Sequence, residues 1–300
     1  MHYVTAVDWS AAEAPEGHEA HLSGFAWRQL VGRDTGATHT ELGIARLGQG
    51  GRVDRHIHSF EEAFYVLAGR PVLELGERRL RLEAGDYGLA PIGVPHGWTN
   101  AGPEEARWMT VSTPMRVAPD EGRRDTFFVA GAGGSAEPVR PPFGDPQHRW
   151  VGHYPGTPPQ AEALAVRDPA HGRAPAGMDT ALLAYSGISV KMLVDRNFGA
   201  ELLTMFTVDY EPNGAAQIHD HPFEEAYFFL DGEIDAVLDG REYRVRAGDL
   251  VFAGVGATHG FFNGGSQRVR WIETQAPQPP GRHAYRWVDV WKRLESSEAR

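Results

Sequence analysis

His56-Ile57-His58-Ser59-Phe60-Glu61-Glu62, with His96 downstream, and His219-Asp220-His221-Pro222-Phe223-Glu224-Glu225, with His259 downstream, decide how this chain folds. Each histidine and final glutamate of the second set lies 163 positions after its counterpart in the first. The same offset relates Gly69 to Gly232, Gly85 to Gly248, Gly93 to Gly256, Asn100 to Asn263 and Trp108 to Trp271. Between His56 and Asn100 roughly two positions in five are identical in the two copies, the self-similarity of a duplicated structural unit. The chain therefore carries one domain twice.

Working outward from the ligand runs, each copy shows short apolar and β-branched stretches closed by Gly and Asp. In the first copy these are 63–67, 79–82 and 108–111, and in the second 226–230, 243–246 and 269–272. Evenly spaced short strands predict an all-β barrel or sandwich in each half. Side chains alternate faces along a strand, so a regular strand puts His56, His58 and Glu62 on one face, and likewise His219, His221 and Glu225. Glu61 and Glu224, of opposite parity, are then expected to face solvent or lie behind the ligands. His96 and His259 follow Pro/Gly-rich turns and enter the same interior from a neighbouring strand.

Three imidazoles and a carboxylate without thiolate suit a divalent Mn, Fe, Co, Ni, Cu or Zn ion, one per domain if both sites fill, with coordination positions left open. The same parity lines the first interior with Phe64, Val66 and Trp98 and the second with Tyr227, Phe229 and Phe261, a lining for a small, partly aromatic substrate. Asp54 and Gln217 share the ligand parity, and Gln217 is a candidate substrate contact.

Gly50-x5-His56-x-His58-x3-Glu62-x6-Gly69 and Gly85-x5-Pro91-x-Gly93-x2-His96-x3-Asn100 resemble the two signature motifs of the cupin superfamily. The second copy is similar, with Gly214 one residue nearer the first histidine and Gly254 in place of the motif proline. The resemblance implies two cupin (double-stranded β-helix, jelly-roll) barrels, a bicupin, with His56, His58, Glu62 and His96 on one metal and His219, His221, Glu225 and His259 on the other. The chain is expected to divide into an N-terminal domain with a leading arm (1–125), a Gly/Pro-rich linker (126–180) and a C-terminal domain (181–300). Trp287, Val290, Trp291 and Leu294 follow helical spacing, predicting a short terminal helix docked on a barrel or on the second subunit of a homodimer.

A net charge of −11 without a basic stripe argues against nucleic acid or an anionic membrane as partner. The absence of cysteine excludes disulfides and thiol nucleophiles. No apolar run reaches spanning length and no leader pattern opens the sequence, which predicts a cytoplasmic protein acting on a small-molecule substrate.

For function, the resemblance implies first a metal-dependent dioxygenase of the kind that quercetin-cleaving bicupins represent, acting on an enol, diol or aromatic substrate with Glu62 or Glu225 as general base. A second expectation is aminohydrolase or lyase chemistry as in ureidoglycine aminohydrolases, although His259 stands where their pattern asks for Gln. A third is a non-catalytic metabolite-binding cupin. The Tyr227 hydroxyl and Gln217 amide, which replace Phe64 and Asp54, make the second copy the expected working site.

Overall fold

The computed structural model describes residues 1–116, 124–130, 137–143, 150–154, 156, 185–279 and 286–287. The described residues form two compact units, one within Asp8–Gly156 and Leu193–Leu203, the other within Met1–Val7, Thr157–Met192 and Thr204–Arg300. Each unit is built on one curled antiparallel sheet in the jelly-roll arrangement, so the described residues are nearly all β, in two barrels.

In the first barrel the strands run, neighbour to neighbour, Val151–His153, Asp86–Ala90, Glu61–Ala68, Ala106–Thr113, Glu41–His58, His96–Thr99, Val72–Leu75 and Arg78–Arg81. Leu22–Val31 and Thr126–Phe128 also pair with the long strand Glu41–His58. The second barrel repeats this order with His2–Ala6, Asp249–Ala253, Glu224–Asp231, Val269–Ala276, Thr204–Asp220, His259–Phe262, Glu233–Leu238 and Arg241–Arg246. Tyr185–Val194 and Arg286–Trp287 pair with its long strand.

Each unit draws on separated stretches of the chain. The leading strand His2–Ala6 pairs with Asp249–Ala253 of the second barrel, and His2 is fixed there through Nε2 to Tyr243 Oη at 2.7 Å. Two stretches of the expected linker, Thr126–Phe128 and Val151–His153, are strands of the first barrel. An unpaired sheet edge has open N–H and C=O groups, and an added strand satisfies them. His153 also donates to the fully buried Asp86 at 2.8 Å. The predicted terminal helix is corrected at Trp287, which lies in a strand opposite His219; Val290, Trp291 and Leu294 fall outside the described residues.

The duplicated residues outside the ligand set hold turns and cores. Gly69 and Gly232 have φ of 77° and 76°, and a Cβ would lie 2.6 Å from Ala106 Cα or Arg268 O, so only glycine fits both the backbone and the space. Asn100 donates to the carbonyls of Leu47 and Glu104, and Asn263 to those of Tyr210, Glu211 and Gln267. Trp108 and Trp271 are each 1% exposed at the centre of their barrel's apolar cluster, where large rings contribute most to burial. No described helix is long and apolar enough to cross a membrane.

Candidate metal centres

A register shift between Val53 and His56, and another between Ala216 and His219, kinks each long strand just before its first ligand. Such bulges re-aim side chains. Beyond the shift, His56 lies directly opposite His96 and His219 directly opposite His259. Their ring centroids come within 4.2 and 4.3 Å. His58 and His221 end the two triads, stacked on Phe60 and Phe223 at 3.9 and 3.8 Å. In each triad one nitrogen per histidine lies within 4.8 Å of the others.

Backbone carbonyls orient the rings. Nδ1–H of His56, His96, His219, His221 and His259 donates to Asp54, Val94, Gln217, Phe223 and Ala257 respectively, at 2.8–2.9 Å. A proton fixed on Nδ1 leaves the Nε2 lone pair for a metal. Nε2 of His58 and of His96 is buried with no hydrogen-bond partner among the described residues. Buried polar atoms are rarely left so unless something absent satisfies them. Burial lowers His56, His58 and His96 to about 3, about 2 and about 4, and His219 to about 3. These rings are therefore neutral donors, and both triads fit a divalent transition metal.

The two glutamates are held differently. The chain bends at Ser59 and Phe60, so Glu62 opens the next strand instead of continuing that of His56 and His58. Its Oε2 accepts from Arg116 Nη2 at 3.1 Å, while Arg116 Nε lies 3.0 Å from Glu41 Oε1. The guanidinium sits 4.4 Å above the Trp27 ring, a favourable cation–π contact. Burial raises the Glu41 carboxyl, and Arg116 only partly opposes this.

Glu225 instead turns its Oε2 to Nε2 of His221 and His259, at 2.9 and 3.0 Å. Tyr227 Oη donates to the same oxygen, and Gln275 Nε2 donates to Oε1 at 2.7 Å. Burial disfavours its charge, but His221 and His259 overcome that and hold the carboxyl well below its usual range. Burial and the neighbouring Glu225 charge push Glu273 well above its usual range, and its Oε2 accepts from Trp271 Nε1 at 2.9 Å.

Glu61 and Glu224, expected to face solvent or to lie behind the ligands, are 4% and 1% exposed. Glu61 accepts the backbone N–H groups of Glu201 and Leu202 at 2.8 and 2.9 Å, which ties the Leu193–Leu203 segment to the first barrel. Phe64, Val66 and Trp98, and Tyr227, Phe229 and Phe261, all point inward as alternation requires, where they pack in the two apolar clusters. Asp54 is engaged by His21 and Arg52, and Gln217 contributes its carbonyl to His219. Arg116, Glu41, Gln275 and Glu273 escape motif reading. Only Glu273 carries a local signal, an acidic residue of inward parity two positions after a core tryptophan.

A cavity of about 520 Å³ opens on His56 and His58 of the first triad, lined also by Glu62, Trp98, Arg116 and Phe128 among others. That volume suits a small organic ligand.

Two jelly-roll barrels, each with a histidine triad at the end of its long strand, define a duplicated β-barrel metal-site protein. Residues 43–112 and 206–274 both match the Cupin domain family, and the chain belongs to the cupin superfamily as a bicupin. Among curated relatives it is similar to the polyketide synthase CurC of Streptomyces cyaneus, 35% identical over 92 residues. That match covers 30% of this chain and 60% of CurC, so it spans less than two thirds of that relative. Protein SchB of Streptomyces halstedii is 36% identical over 98 residues, 32% of this chain and 71% of SchB. Among solved structures, the salicylate 1,2-dioxygenase of Pseudoaminobacter salicylatoxidans superposes with TM-score 0.65 at 14% identity, covering 92% of this chain and 81% of that one. The oxalate decarboxylase of Bacillus subtilis gives 0.59 at 16% identity, covering 98% and 82%.

Proposed function

We propose that this bicupin is a metal-dependent oxygenase whose first barrel acts on a small planar enol, diol or aromatic substrate. The observation that carries this reading is the 520 Å³ cavity, which reaches His56, His58 and Glu62 between the aromatic walls Phe60, Trp98 and Phe128. Flat apolar walls orient a planar substrate and exclude water, and the few polar groups fix its register. A divalent first-row ion on three imidazoles keeps coordination positions open and supplies Lewis acidity and one-electron chemistry toward O2. Glu62 Oε1, opposite the oxygen engaged by Arg116, accepts the proton of a substrate hydroxyl. Neutral His56, His58 and His96 hold the ion without competing for that proton.

This reading moves the reaction from the second copy, where Tyr227 had suggested it, to the first. Tyr227 is 2% exposed, and its hydroxyl already donates to Glu225. The dioxygenase among the structural neighbours supports the reaction class by analogy of fold. Oxygen-electrode measurements on metal-loaded protein over catechols, hydroxybenzoates, flavonols and ureido compounds test it. O2 uptake that requires His58 supports the proposal. Turnover without O2 uptake points to hydrolase or lyase chemistry, and binding without turnover to a metabolite-binding cupin.

A further inference from the structure

We propose that Arg116 withholds the Glu62 carboxylate from the metal, making the first barrel a three-imidazole centre, while the second barrel's metal takes Glu225 as a fourth donor. The inference is independent of which reaction the first barrel performs.

The two barrels share every histidine but differ around the carboxylate. By the common offset, Glu41, Ser112 and Arg116 correspond to Thr204, Gln275 and Pro279. The pairing registers agree, since Glu41 faces Ser112 and Thr204 faces Gln275. In the first barrel one guanidinium lies between two carboxylates, 3.0 Å from Glu41 and 3.1 Å from Glu62. It is pinned between the rings of Trp27 and Phe60, at 4.4 and 5.5 Å. A metal that used Glu62 would have to share or break this charge-assisted bond in a largely buried setting, where such bonds are strong.

The second barrel offers no such competitor at these positions. The donors that Gln275 and Tyr227 present to Glu225 are neutral, an amide at 2.7 Å and a hydroxyl. They aim Oε2 at Nε2 of His221 and His259, the atoms that face the metal position. An anionic oxygen already gathered with two imidazole nitrogens is a ready ligand for a divalent cation.

Cobalt(II) titration, read by visible absorption and calorimetry, tests this on full-length chains carrying His221→Ala to isolate the first site or His58→Ala to isolate the second. Glu225→Gln is expected to weaken the second site by about tenfold or more, and Glu62→Gln to change the first by less than about threefold. With Arg116→Gln also present, Glu62→Gln is expected to cost the first site about tenfold. This is a double-mutant cycle, so the loss of the Arg116 charge by itself cancels. If Arg116→Gln does not fold, Arg116→Met with Glu41→Gln removes the cation together with its second partner and closes the same cycle. The proposal is overturned if Glu62→Gln in the otherwise native first barrel costs as much as Glu225→Gln. It is equally overturned if removing Arg116 leaves the Glu62→Gln effect unchanged, or if the first site binds no cobalt.

Discussion

Gln275 Nε2 donates to Glu225 Oε1 at 2.7 Å, inside a barrel where both residues are buried. A hydrogen bond to a buried charged group contributes about 1.5–3 kcal/mol. Gln275→Leu removes the donor and keeps the volume nearly constant, so the second barrel is expected to lose stability of that order. Chemical denaturation of the metal-free protein reads it; an unchanged midpoint would mean that Glu225 does not need the amide.

Tyr227→Phe removes the hydroxyl that shares Glu225. Because the first barrel carries the proposed reaction, turnover is expected to stay within about twofold while the second barrel loses about 1.5–3 kcal/mol. A fall of tenfold or more in kcat, with metal content unchanged, would return the reaction to the second barrel.

Glu62→Gln keeps size and loses basicity. Turnover is expected to fall by about 10²-fold or more, with the first triad still metallated. Full activity would remove Glu62 from proton transfer and leave substrate positioning as its role.

The metal-free protein should be sensitive to acid. Burial lowers His56, His58, His96 and His219 to between about 2 and about 4, below the unfolded value of about 6.5. As pH falls through about 6.5 the unfolded chain takes up protons that these buried rings refuse. Their stability is complete above about 6.5 and declines as pH falls to the folded values of about 4 for His96, about 3 for His56 and His219 and about 2 for His58, by up to about 1.4 kcal/mol per pH unit for each group. His221 works the other way: burial disfavours its charge, but Glu225 raises it, so its share is present at low pH and lost as pH rises. Four lowered histidines outweigh it. The melting temperature of chelator-treated protein is expected to fall between about pH 6.5 and pH 4.5, and a flat profile would contradict neutral His56, His58, His96 and His219.

Much of this architecture is legible before any coordinates. The 163-residue repeat and the His-x-His pairs carry the fold, the two histidine triads and the opposed histidines, because a duplicated backbone must repeat its special positions. Parity reasoning assumes a regular strand, yet Glu62 still lines the cavity that His56 and His58 line although the strand is not regular. A bend at Ser59 and Phe60 separates Glu62 from His58, and no residue type there announces it. Arg116 and Glu41 reach the site from outside both motifs, Glu41 from the far end of the long strand that carries His56 and His58 and Arg116 from beyond the strand Ala106–Thr113. The leading strand His2–Ala6 reads as a plain arm because its partner, Asp249–Ala253, lies almost the whole chain away.

The central claim is that the first barrel is the reaction site. The most direct measurement compares metal content and O2 uptake in His58→Ala and His221→Ala chains on whichever substrate the native protein turns over. The account predicts that each substitution empties only its own triad, and that His58→Ala abolishes O2 uptake while His221→Ala retains most of it. Loss of uptake in His221→Ala with a fully metallated first triad, alongside retained uptake in His58→Ala, would contradict it.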